Sequence, residues 1–188
     1  MKHLEPRKIV LIGASTGGPG QIQKIINSLP KLQNTTIVIA QHMVDGFMDS
    51  FANRFLNISH NKISVVKNNQ TFENNNIYIC EGETKLTNNS FSKKSSSPDS
   101  YNPNINILFN SFTSLTKDLQ ILCVILTGIG DDGVEACKNL SLNGVRCITE
   151  SEKSAIVDGM PSRARALVPN IEVNDIDNIV KIISEFCE

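Results

Sequence analysis

The chain has 188 residues, the size of one large domain rather than two small ones. Hydrophobic residues make up 40% of it, enough apolar surface to offset chain entropy, and 18 Lys and Arg against 19 Asp and Glu leave a net charge of −1. That near-neutral balance excludes a general electrostatic partnership with nucleic acid or anionic lipid. The longest apolar runs, such as Ile121 to Leu126, fall short of the ~20 residues of a membrane span, and the start at Met1 lacks a signal-peptide apolar stretch. No membrane insertion and a cytoplasmic location are therefore expected.

Arg7 to Ala14 (RKIVLIGA) is apolar on both faces, the pattern of a central parallel strand covered on each side. Pro19 suits a first helical turn, and Ile22, Ile25, Ile26 and Leu29 then form one stripe of a helix that Pro30 stops. Thr36 to Gln41 repeats the buried-strand pattern, followed by a turn at Asp45-Gly46 and a helix over Met48 to Asn57 with Phe51, Phe55 and Leu56 inward. Ile63 to Val66 and Ile77 to Cys80 read as short strands. Thr87 to Asn104 is rich in Ser, Asn, Lys and Pro and reads as a flexible polar loop.

Ile105, Leu108, Phe109, Phe112 and Leu115 mark the next helix, and Leu119 to Thr127 is the most apolar strand of the chain. Asp132 to Asn143 reads as a helix, Val145 to Thr149 as a strand and Asp175 to Phe186 as a last helix with Ile176, Ile179, Val180 and Ile183 inward. No repeat or linker divides the chain, so residues 1–188 are expected to form one domain. Strands alternating with helices imply an α/β fold, doubly wound, with a mostly parallel sheet and helices on both faces. In such folds the chemistry lies beyond the carboxyl ends of the strands.

Three strands run into polar residues at that edge: Ser15-Thr16 after the first, His42 after the second, and Gly128-Ile129-Gly130-Asp131-Asp132-Gly133 after the most apolar one. Gly13-Ala14-Ser15-Thr16-Gly17 matches GxSxG between a strand and a helix, where a sharp turn exposes the serine oxygen. A plain glycine turn with Ser15 or Thr16 capping the helix is the structural alternative. A serine nucleophile needs a base, and neutral imidazole is the usual one. His3 lies in a terminus and His60 in a polar turn, which leaves His42; its own alternative is a histidine satisfied by hydrogen bonds at a strand end. An imidazole that cycles through its cation needs an orienting carboxylate, and Asp131 or Asp132 follows the most buried strand to the same edge. Both could instead cap the next helix, and spacing does not separate them.

Phosphate or dinucleotide binding is the competing use of the first glycine turn. The spacing is not GxGxxG, no Lys follows as in a Walker loop, and Ala40-Gln41-His42 stands where a ribose-binding acid would be expected, so no cofactor is expected. Five cysteines, none in a CxxC pair, read as reduced thiols rather than a disulfide framework or structural zinc site. No bound metal is expected.

Four blocks, IGASTGGP at Ile12 to Pro19, QHMVDGFMDSFANRF at Gln41 to Phe55, LTGIGDDG at Leu126 to Gly133 and SAIVDGMP at Ser154 to Pro161, resemble the catalytic domain of the chemotaxis protein-glutamate methylesterase family. The likeness spans Ile9 to about Val180. It implies a catalytic triad of Ser15, His42 and Asp132, with Thr16 beside the nucleophile and the backbone N–H of Ile129 facing the developing oxyanion. It also implies hydrolysis of γ-glutamyl methyl esters on the cytoplasmic helices of chemoreceptors, with release of methanol, and deamidation of receptor glutamines as a related activity. A monomer is expected. A non-enzymatic module binding receptor helices is the alternative reading.

The chain departs from the family where Cys80-Glu81-Gly82-Glu83-Thr84-Lys85 replaces an APG turn and a following His, and where Asn104-Ile105-Asn106 replaces SVD with the loss of an acid. Most members carry an amino-terminal receiver domain and linker. This sequence starts almost at the first strand, so either a different mode of control or a shortened chain is expected.

Overall fold

The computed structural model describes residues 8–44 and 46–188. His3, Arg7 and the Asp45 half of the expected Asp45-Gly46 turn lie outside them.

The first half of the chain supplies β1 (Lys8–Ala14), α1 (Gly18–Ser28), β2 (Thr35–Gln41), α2 (Met48–Asn53), β3 (Lys62–Val65), β4 (Gln70–Thr71), β5 (Asn76–Ile79), β6 (Glu83–Thr87) and β7 (Ser90–Lys94). The second half supplies α3 (Ile105–Asn110), β8 (Gln120–Ile125), α4 (Val134–Leu142), β9 (Arg146–Glu150), α5 (Gly159–Leu167), β10 (Glu172–Asn174) and α6 (Ile176–Cys187). Seven strands form one sheet in the order β10-β9-β8-β1-β2-β5-β3, and all its pairs are parallel. The α/β class and the mostly parallel sheet expected from the sequence are what the chain forms.

The pleat of β1 divides the core. Ile9 and Leu11 face the layer built from α3, α4 and α5, whereas Val10, Ile12 and Ala14 face the layer built from α1, α2 and α6. Both faces being covered explains why β1 carries no polar alternation. The Ile22, Ile25 and Ile26 stripe of α1 and the Ile176, Ile179 and Ile183 stripe of α6 are buried on the second face. Because β1 sits between β2 and β8, the chain leaves it toward one edge of the sheet first and returns to its other side later. This is the strand-order reversal at which doubly wound sheets open a crevice at their carboxyl ends.

Four expectations are corrected. The stretch from Thr87 to Asn104 is not a loop throughout: β6 and β7 pair antiparallel, and together with β4 they make a three-stranded sheet. Asn88 and Asn89, at φ 48° and 60°, make the tight turn, which asparagine tolerates better than most residues. Leu86 and Phe91 point inward while their polar neighbours line the outer face, so a loop-like composition hides a period of two. Phe91 packs edge-on against Phe72 and Tyr78.

The helix expected over Met48 to Asn57 ends at Asn53, and once its register is lost Leu56 is exposed while Phe51 and Phe55 stay buried. The α4 helix begins at Val134 rather than Asp132, because Gly133 at φ +88° cannot belong to a right-handed turn. The stripe from Ile105 to Leu115 is split into α3 and a 3-10 turn over Thr113–Leu115. In addition, α5 and β10 form from stretches too short or too polar to signal themselves.

Phe91→Ala should cost about 3–5 kcal/mol of unfolding free energy in urea, the range for emptying a buried aromatic site. A flexible segment around Phe91 would instead leave the midpoint where it was.

Candidate active site

At the strand-order reversal, Ala14 of β1 lies beside Gln41 of β2, so Ser15 and His42 follow one another across the end of the sheet. Their backbones continue its ladder: Ser15 N–H donates to the Thr127 carbonyl at 3.0 Å and His42 N–H to the Ala14 carbonyl at 2.9 Å. The Gln41 side-chain amide donates to the carbonyls of both Ser15 and His42, each at 2.9 Å, and binds the two loops together.

Close approach explains the glycines. Gly17 has φ +85°, and a Cβ there would also meet Ile156 at 2.6 Å. A Cβ on Gly128 would lie 2.6 Å from the Cβ of Ser15 and 2.4 Å from Met160 Sδ, so the backbone of the 128–130 turn rests directly against the serine. Thr16 is exposed, and its carbonyl accepts from Thr127 Oγ1 at 2.9 Å. Ile129 also projects into solvent.

The two aspartates part company. Asp131 is exposed, whereas Asp132 is 1% exposed and its Oδ2 lies 2.7 Å from His42 Nε2. The same carboxylate accepts the backbone N–H of Ile105 at 2.8 Å and of Asn106 at 2.9 Å, so Asp132 serves the start of α3 and makes no cap for α4. Asn104 accepts from Ile107 N–H at 2.8 Å and shapes that turn, and Asn106 Oδ1 accepts from Ala136 N–H at 2.9 Å. The amide oxygen of Asn106 thus braces α4 without the acid that the family pattern led one to expect.

Sequence reasoning passed over three residues here. Tyr101 stacks on the His42 ring with centroids 4.8 Å apart and an interplanar angle of 6°. Gln41 was read as the end of a strand and the start of a family-like block, with no role given to its side chain. Glu150, at the end of β9, is fully buried and accepts from Thr127 N–H at 2.9 Å, Gln21 Nε2 at 2.6 Å and Ser154 Oγ at 3.0 Å. An acid inside an apolar strand was the available signal for Glu150. A lone aromatic in a polar stretch was the signal for Tyr101. His60 stays apart from this constellation in the turn before β3.

Among the described residues, Cys123, Cys137 and Cys147 bring their sulfur atoms within 4.8 Å of one another, a metal-sized grouping that sequence spacing does not show. They lie inside the core, where burial raises the Cys123 thiol while hydrogen bonds from Cys123 and Cys137 pull the Cys147 thiol down.

Fold and site define the class: a doubly wound α/β protein whose carboxyl edge gathers a serine, a histidine and a buried aspartate at the central strand. The CheB methylesterase family model matches residues 10–183, and the chain belongs to that family. It is 35% identical over 189 residues to a protein-glutamate methylesterase/protein-glutamine glutaminase of Bacillus subtilis, covering 95% of this chain and 52% of that protein. It is 34% identical to a second such protein of Carboxydothermus hydrogenoformans, covering 84% and 47%. The chain therefore spans about half the length of the curated relatives it matches. The crystal structure of the Thermotoga maritima CheB methylesterase catalytic domain superimposes with a TM-score of 0.82 at 27% identity, covering 95% of this chain and 98% of that one.

Glu150 allows a pH test. Burial raises its carboxyl above the ordinary value of 4.5, so the folded chain holds this proton more tightly than the unfolded chain does. Stability from this group is full below the unfolded value and is lost as pH rises through the folded one. Glu150→Gln cannot titrate, and it sets an NH2 against Thr127 N–H or the Gln21 amide at a cost of about 1–3 kcal/mol. Urea unfolding at a series of pH values should show the wild-type advantage over the variant shrinking from about pH 4.5 upward. A constant difference would contradict the raised value.

Proposed function

We propose that this chain is the hydrolytic unit of a protein-glutamate methylesterase, cleaving γ-glutamyl methyl esters on the cytoplasmic helices of chemoreceptors and releasing methanol. Deamidation of receptor glutamines is the related activity of the same site. The observation that carries the reading is the 2.7 Å contact between His42 Nε2 and the buried Asp132 carboxylate, at the sheet edge where Ser15 follows the neighbouring strand.

With Nε2 facing an acceptor, the ring proton sits there and Nδ1 keeps its lone pair. His42 Nδ1 is the base that takes the Ser15 proton as Oγ attacks the ester carbonyl. Asp132 holds the tautomer and stabilises the imidazolium. The backbone N–H of Ile129, in the turn seated against Ser15, receives the developing oxyanion, supported by Thr16 beside the nucleophile. Collapse of the tetrahedral intermediate breaks the C–O bond, His42 returns its proton to the leaving methoxide, and methanol departs from a glutamyl-enzyme ester. Water activated by the same nitrogen then releases the glutamate carboxylate. A glutamine side chain follows the same course with ammonia as the leaving group.

Large apolar side chains around this edge suit a helical protein substrate. Val44 and Phe47 beyond His42, Ile129 beside the serine and Ile156 against Gly17 are all exposed, a surface onto which an amphipathic helix can be laid. The near-neutral charge and the absence, among the described residues, of a helix able to cross a membrane fit action on the receptors' cytoplasmic part. The reading takes residues 1–188 as one catalytic unit, monomeric and cytoplasmic, that works without a cofactor.

Ser15→Ala should abolish methanol release from methylated receptor membranes while the circular dichroism spectrum stays native. Turnover persisting in that variant would refute the assignment. Asp132→Asn should lower kcat by about 10³–10⁴, as loss of the orienting carboxylate does, while Asp131→Asn stays within a few-fold of wild type. Unfolding curves of both aspartate variants check that the α3 amides still find a partner. Equal losses in two folded variants would remove the distinction between the aspartates.

A further inference from the structure

A hydrogen bond at one edge of an imidazole fixes where that edge sits but leaves the ring free to rotate about the line from the bonded nitrogen to the side-chain stem. His42 is bonded to Asp132 through Nε2. Its second restraint is the Tyr101 ring, parallel to within 6° at a centroid separation of 4.8 Å, which blocks the rotation that the bond allows.

We infer that Tyr101 is a positioning residue that, by stacking on the imidazole, holds His42 Nδ1 toward Ser15 and stabilises the ring when it becomes a cation. The inference rests on the hydrolase reading of Ser15, His42 and Asp132 and adds a fourth side chain to it.

The anchoring of Tyr101 does not depend on its ring. The adjoining Asn102 accepts Met43 N–H through its carbonyl at 2.9 Å and Gly82 N–H through its side chain at 2.8 Å. These bonds tie the segment to the end of β2 and to the turn before β6, so the phenol is delivered by a braced backbone. Across the cleft, a Cβ on Gly130 would lie 3.0 Å from the Tyr101 hydroxyl, which places the phenol against the turn that also carries Ile129. One side chain thus spans from the imidazole to the 128–130 turn. A cleft of about 670 Å³ opens beside it, lined by His42, Val44, Pro98 and Tyr101.

The chemistry favours the aromatic face over mere bulk. When His42 takes the serine proton its ring becomes positive, and a tyrosine π face within 6 Å attracts a cation. Partial desolvation beside the His42 ring and the nearby Asp131 and Asp132 raise the Tyr101 phenol, so the stacked ring brings no charge of its own at neutral pH. Because Tyr101 is 43% exposed and stands outside the two buried clusters, removing its ring leaves the core intact.

A small fluorophosphonate reads this directly, since it reports the reactivity of Ser15 without any need for a docked receptor. Wild type and Tyr101→Phe should label at rates within about twofold of each other, and Tyr101→Ala and Tyr101→Leu should label about tenfold more slowly, because leucine restores bulk but no π face. On methylated receptors the same two variants should lose kcat with KM little changed. Unfolding transitions establish that each variant is folded, and Ser15→Ala supplies the unlabelled control. Wild-type labelling speed in Tyr101→Ala, or a rise in KM alone, would overturn the role for Tyr101 while leaving the hydrolase reading in place. Failure of the wild type itself to label at Ser15 would defeat both.

Discussion

The arrangement at the sheet edge depends on how one buried carboxylate is satisfied. Asp132 is almost inaccessible to water, and an aspartate in such a place is tolerable only when hydrogen-bond donors surround it. Two backbone amides at the start of α3 and the imidazole of His42 provide them. The same three bonds that make the burial tolerable fix where α3 begins and which nitrogen of His42 faces the carboxylate. Structural and proposed chemical demands fall on one side chain, so the contacts that the proposed hydrolysis would use also keep this edge of the fold together.

Topology does the rest of the gathering. Ser15, His42 and Asp132 are separated by long stretches of chain, yet β1 lies between β2 and β8, and each residue follows one of those three strands. The backbone of the 128–130 turn can rest against Ser15 only because Gly128 has no Cβ. Glu150 supports the arrangement from behind by joining the end of β8 to α1 and to the segment after β9. The glycines and the buried acid are thus parts of the same construction as the three polar residues they surround.

Where the sequence was legible, the reason was periodicity. The doubly apolar runs of β1, β2 and β8 and the isoleucine stripes of α1 and α6 follow from burial on two faces or one, and they stand in the structure where the pattern put them. Where it was not, a single backbone angle or a distant contact took control. The β6–β7 hairpin hid in polar composition because its turn residues and its outer face are polar by necessity. Gly133 delayed α4 by its left-handed conformation, and Leu56 lost its inward direction when α2 stopped early. The ring of Tyr101 lay in a polar stretch without periodicity, where composition could mark it as unusual but only its stacking on His42 shows what it contacts.

The amino-acid order by itself determined the α/β class, the covered central strands and the candidacy of Ser15, His42 and the aspartate pair, because these follow from local pattern and from the side-chain types that proton transfer requires. Local pattern left Asp131 and Asp132 equivalent, and only the family resemblance favoured the second. The physical ground for that choice came from the tertiary structure alone, since it rests on which carboxylate is carried inward to meet the α3 amides and the imidazole, a matter of three-dimensional register that adjacent residues of the same kind cannot encode.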